Sequence, residues 1–126
     1  MHLLSPPLAS VSPLAWEPFV AFSLAAAVGR APLRMLPGRN RAARYVRARR
    51  LAFHLAHVGL GVSLTRAAAA LSRNRAAARR ACARTEDGRD APGWDRALDG
   101  LERALRLWCE SLRAELAACA AVGGVR

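Results

Sequence analysis

Residues 63 to 85 read S-L-T-R-A-A-A-A-L-S-R-N-R-A-A-A-R-R-A-C-A-R-T, a run of strong helix formers that nevertheless cannot be one helix. Leu64, Ala67, Ala68 and Leu71 fall on one helical face, and Ser63 stands where it can cap that helix. Ser72, Arg73 and Asn74 break the period. A second period begins after Asn74, itself a good cap residue, and runs through Ala78, Ala81, Cys82 and Thr85 on a small face suited to burial. Arg75, Arg79, Arg80 and Arg84 lie off that face. Two short helices joined by a tight turn, the second studded with arginine, make a helix-turn-helix of the kind that fits a DNA major groove, whose rims are phosphates.

The 126 residues suffice for one small helical core plus one further element. Formal charge is +11, and every basic residue is an arginine, the side chain suited to forked contacts with phosphate and guanine. The distribution is uneven. From Pro18 to Thr85 there is no Asp or Glu, whereas eight of the nine acids lie between Glu86 and Glu115. A basic module followed by a near-neutral helix favours a polyanionic partner for the first part and ordinary solvation for the second. The odd cysteine count (Cys82, Cys109, Cys119) and the lack of a C-x-x-C pair argue against a disulfide framework or a zinc site, and fit a reducing cytoplasm. Cys82 is expected as a small buried thiol.

Residues 1–15, with Pro6, Pro7 and Pro13 among small residues, read as a loosely attached arm. Trp16 to Val28 reads as a first core helix, with Glu17 and Pro18 in its first turn and Gly29 ending it. Its apolar run Phe19 to Val28 lacks a basic n-region for a signal peptide and is too short to span a bilayer. A short turn from Ala31 to Leu36 follows. Asn40 then caps a long helix from Arg41 to Val58, and Gly59 to Gly61 turn the chain into Ser63. Glu86 to Gly93 reads as a polar linker. In the last helix, residues 94–121, Trp94, Leu98, Leu101, Leu105, Trp108, Leu112, Leu116 and Cys119 form a stripe at steps of three and four. That stripe either packs back on the domain or meets a second copy.

No catalytic constellation emerges, and without lysine a Walker-type phosphate loop is excluded. His54 and His57 are three apart but lack a third metal ligand nearby in sequence, so they are read as surface or packed helix positions. Glu110 and Glu115 read as solvated helix charges.

The runs R-A-R-R-L-A-F-H-L-A (47–56), S-L-T (63–65) and R-N-R-A-A-A-R-R-A-C-A-R (73–84) resemble, in order and spacing, the C-terminal DNA-binding domain of the bacterial replication initiator DnaA. The resemblance covers about residues 18 to 86. The segment D-R-A-L-D-G-L-E-R-A-L (95–105) is similar to the tail of short relatives from alphaproteobacteria that lack the ATPase domain. It implies that Arg49 enters the minor groove, that Arg73 opens the recognition motif and that Arg84 takes the place of a phosphate-contacting lysine. Asn74, Arg75 and Ala76 occupy the family's base-reading Asp, His and Thr, and Ala77 replaces a phosphate-holding threonine. Thr65 stands for the helix-starting proline. Each lost base contact is worth roughly 1–3 kcal/mol of discrimination.

The sequence therefore predicts an all-α fold: a multi-helix domain over 16–86 containing a helix-turn-helix, then one long amphipathic helix over 94–121. The expected function is double-stranded DNA binding by a small non-enzymatic regulator of transcription or replication. Arg49, Ser63, Leu64, Thr65, Arg73, Asn74, Arg75, Ala76, Ala77, Arg79, Arg80 and Arg84 are its candidate contacts. No cofactor, metal, membrane or small-molecule substrate is expected, and a homodimer through the last helix is the further partner. The competing reading is a helical interaction protein with a degenerate recognition helix. A third, arginines lying on an anionic membrane, suits the sequence less, because they are spread over several elements.

Overall fold

The computed structural model describes residues 13–123, and these form five α-helices and no strand. Helix α1 spans Pro13–Gly29. It starts earlier than Trp16, so residues 13–15 of the expected arm form its first turn; the rest of that arm lies outside the described residues. Pro18 is therefore inside the helix, and Glu17 is no start signal: its carboxylate is buried and paired with Arg113, whose guanidinium also lies 5.7 Å over the Trp16 ring.

After a short turn at Leu33–Met35, helix α2 runs over Ala43–His54. Asn40 Oδ1 accepts from the Ala42 N–H at 2.8 Å, forming a turn before the helix instead of capping one begun at Arg41. The long helix expected up to Val58 also changes character: Leu55–Gly59 form a wider π turn. Gly61, at φ +74°, then reverses the chain, a conformation that glycine adopts without steric cost.

Helices α3 (Leu64–Ala70) and α4 (Arg75–Asp87) form the expected helix-turn-helix. The polar linker does not appear as such. α4 continues to Asp87, a single tight turn covers Gly88–Asp90, and α5 (Pro92–Ala121) starts with its proline at the first helical position. Trp94 closes over this turn, since a Cβ at Gly88 would lie 3.1 Å from its ring.

Helix α2 is the centre of the core. α1 packs on one side of it and α4 on another, while α5 crosses the π turn and touches α1. Phe22, Leu36, Leu55, Leu71, Leu98 and Leu105 are fully buried. On α5 the buried line is Leu98, Glu102, Leu105 and Cys109, a correction to the predicted stripe: Trp108 is 43 % exposed, and Glu102 and Cys109 take inner positions. Glu102 pairs there with the fully buried His54 and with the partly exposed Arg89.

Candidate nucleic-acid interface

The turn between α3 and α4 is built by capping. Arg73 N–H donates to Ala68 C=O at 2.8 Å and Ser72 N–H to Ala69 C=O at 3.1 Å, closing α3 with Ser72 in the left-handed region at φ +56°. Ser63 Oγ accepts from the Arg66 N–H at 3.2 Å, and Asn74 Oδ1 accepts from the Ala77 N–H at 2.8 Å, so both residues cap as the sequence predicts. Arg73 is engaged within the fold through both terminal nitrogens. Its guanidinium donates to the carbonyls of Pro37, Leu71 and Gly38 at 3.1, 3.1 and 2.7 Å, tying the turn to the loop ahead of α2.

Ala78, Ala81, Cys82 and Thr85 form the buried face of α4, as predicted. With successive residues about 100° apart, Ala76 and Ala83 fall along its outermost line. Arg75 and Arg79 lie on one flank of that line and Arg80 and Arg84 on the other. All six are exposed. Ala77 is half-buried beside α2. On α3, Thr65 is exposed, whereas Leu64 is half-buried and packs on the core.

Between α2 and α4 lies an open cleft of about 220 Å³, lined by Arg49, Arg50, Arg73, Arg80 and Arg84 over Phe53, with no carboxylate in its walls. Arg49 is 8 % exposed. Its Nη2 donates to the Asn40 C=O at 2.6 Å, while Nη1 is buried with no hydrogen-bond partner. Burial, and secondarily the nearby Arg73 charge, lowers the Arg49 pKa from its ordinary value. A second cavity of about 290 Å³ adjoins the cleft through Arg50 and Arg84 and carries Leu51, Trp94 and Arg47 in its wall.

The structure thus brings Arg49, Arg80 and Arg84 to one cleft and leaves Arg75 and Arg79 on the far flank of α4. Arg50 was not among the sequence candidates. The available signal was its three-residue spacing from Arg47, which puts both on one flank of α2.

The two histidines serve the fold. His54 is fully buried and donates through Nε2 to Glu102 at 2.7 Å, and His57 Nδ1 donates to the Val62 C=O at 2.8 Å. Glu102 also accepts from Arg89 at 2.7 Å, and Arg89 reaches Glu86, Asp95 and Asp99 as well, contacts that hold its guanidinium protonated more firmly than usual. Among the described residues, no three His, Cys, Asp or Glu side chains are grouped to hold a metal ion, and no helix is long and apolar enough to cross a membrane. No protein-family model, curated protein or solved structure matches the chain.

Proposed function

We propose that the chain binds double-stranded DNA by laying α4 along the major groove, as a DnaA-type regulator of transcription or replication. The observation that carries this reading is the exposed side of α4: a low ridge of Ala76 and Ala83 with two arginines on each flank and no acid before Glu86. A ridge of small side chains lets the helix approach base edges, and arginines on both flanks meet the phosphates along both rims. The resemblance over residues 18–86 supports the same docking. Arg75, at the start of the helix, is the one long donor at the reading positions and can offer two hydrogen bonds to the O6 and N7 of guanine. A shifted preference follows, richer in guanine at one position.

Selection of bound duplexes from a random pool, read by sequencing, tests this directly. The expected result is discrimination of about 1–3 kcal/mol at one position and little elsewhere. Restoring Asp, His, Thr and Thr at positions 74–77 should move the preference toward the family's box. If Arg75→Ala lowers affinity equally for every duplex, Arg75 touches only phosphate and the base-reading part of the proposal fails.

A second reading, association of two copies through α5, is favoured by the apolar groove of about 300 Å³ between α1 and α5, where Phe19 is 59 % and Trp108 43 % exposed beside Leu112 and Leu116. Sedimentation at micromolar concentration should then show a dimer that Leu112→Glu disrupts. A monomer at high concentration excludes it.

A further inference from the structure

From the walls of the α2–α4 cleft we infer a phosphate seat, in which one phosphate group is held by Arg49 with Arg50, Arg80 and Arg84 around it. Two independent observations meet there. The first is composition: the cleft walls hold five guanidinium groups and no carboxylate, so nothing inside it balances their charge. The second is Arg49 itself, more than nine-tenths buried, with one nitrogen on the Asn40 carbonyl and the other lacking any partner.

An orphaned donor on a buried charged group is costly, and the repulsion from Arg73 adds to the cost. Nη1 has no surface open to the cleft, so an anion there removes both penalties once the Arg49 side chain turns toward it. The geometry selects phosphate over carboxylate. The four arginines come from two helices, Arg49 and Arg50 from α2 and Arg80 and Arg84 from α4, so they line the cleft from two sides. A tetrahedral group with three or four acceptor oxygens can serve them all, whereas a planar carboxylate offers two oxygens in one plane. At about 220 Å³ the cleft also has room for a phosphate with part of its hydration shell.

Such a phosphate has two sources, a duplex backbone or a free phosphate compound, and the seat does not depend on the DNA reading. A free organic phosphate can extend past Arg50 and Arg84 into the adjoining cavity against Leu51 and Trp94. A backbone phosphate has no such extension.

The test uses the full chain with three probes: inorganic pyrophosphate, ATP and a labelled random-sequence duplex. Wild type is compared with Arg49→Met, with Arg80→Gln and with Arg103→Gln, an exposed arginine on α5 outside the cleft. If the occupant is free, pyrophosphate or ATP raises the thermal midpoint of wild type and competes with the duplex, and Arg49→Met weakens its binding about tenfold. If the occupant is a backbone phosphate, the free anions do not distinguish the variants. Duplex affinity then falls about tenfold in Arg49→Met, and the salt slope falls by about one unit in Arg80→Gln but not in Arg103→Gln. Either pattern supports the seat. It is overturned when pyrophosphate and ATP fail to bind and both cleft variants behave on the duplex as Arg103→Gln does. Should circular dichroism show Arg49→Met unfolded, Arg50→Gln takes its place, since Arg50 lines the cleft from α2 and is not a flank residue of α4. A chain that takes pyrophosphate but no duplex refutes the DNA reading and leaves the seat standing.

Discussion

Gly29 and Arg30 share between them what one glycine does at the end of many helices. The left-handed position that closes α1 belongs to Arg30, at φ +53°, while Gly29 is still helical and lies against α2. A Cβ on Gly29 would stand 2.9 Å from the Ala48 Cβ, so Gly29→Ala should push the two helices apart and cost about 1–3 kcal/mol by urea unfolding. The sequence marks Gly29 as a terminator because glycine usually fills that role. Nothing local reveals that Ala48, far along the chain, faces it. Ser72 holds the same strained conformation between α3 and α4, so Ser72→Gly should stabilise by about 1 kcal/mol and raise the thermal midpoint by about 4 °C. The cysteines divide by environment. Burial, with help from Glu86, pushes the Cys82 thiol up to about 11; burial and Glu17, opposed by Arg113, push Cys109 up to about 11 as well, while Cys119 is exposed. Iodoacetamide at mildly alkaline pH should therefore label Cys119 alone, as read by mass spectrometry of the native chain. The sign of the pH effect follows. An unfolded chain loses these protons near about pH 8.5, and the native chain keeps them until about pH 11. The unfolded state binds fewer protons in that window, so stability is complete below it and declines as pH rises through it. Urea midpoints at neutral pH and near the top of the window, compared with those of a Cys82→Ala Cys109→Ala chain, measure the difference.

At the scale of the element, α3 and α4 were legible down to single residues because their signals are local. Two caps, one broken period and a face of small side chains define them, and each was found where the pattern put it. Helix α5 was legible in extent but not in rotation. Its leucines allow several facings, and the inner line includes Glu102, which carries no apolar signal and is recognised only once His54 and Arg89 are seen beside it. Glu102 is the link between α5 and the end of α2, where the π turn begins just after His54. Removing it leaves Arg89 with its other carboxylates but takes from His54 its one hydrogen bond, in a site with no solvent access. Glu102→Leu should therefore destabilise by about 1–3 kcal/mol even though leucine suits the helix face, and Glu102→Gln, which keeps an acceptor, should cost less. A leucine variant as stable as wild type would mean that the network adds nothing over apolar packing.

For the whole molecule, the net charge of +11 overstates what is free to meet a partner on some surfaces and understates it on others. Arg89 is consumed by four carboxylates and Arg113 by Glu17, so the α5 side of the molecule answers much of its own charge. Arg73 is spent on backbone carbonyls. Of the arginines without a carboxylate partner among the described residues, eight lie on α2 and α4: Arg44, Arg47, Arg49 and Arg50 on the first, and Arg75, Arg79, Arg80 and Arg84 on the second; others, such as Arg30, Arg66 and Arg103, lie elsewhere. The acid-free stretch of sequence anticipated this segregation, because a charge imbalance along the chain survives folding when the basic and acidic parts form different helices. What it did not anticipate is that Arg49 and Arg73 would turn inward, since an arginine that donates to carbonyls and one that waits for phosphate look the same in sequence. The count of outward arginines sets the last prediction. If five to eight phosphates are neutralised, the logarithm of duplex affinity should fall against the logarithm of salt with a slope of magnitude about 4 to 7. The slope should fall by about one unit for each of Arg79→Gln and Arg84→Gln, and Glu110→Gln on α5 should leave it unchanged. Because counterion release depends on phosphates contacted and not on total charge, a slope that responds as strongly to Glu110→Gln as to Arg79→Gln would mean that the partner senses only net charge. A flat slope would take duplex DNA away from this surface altogether.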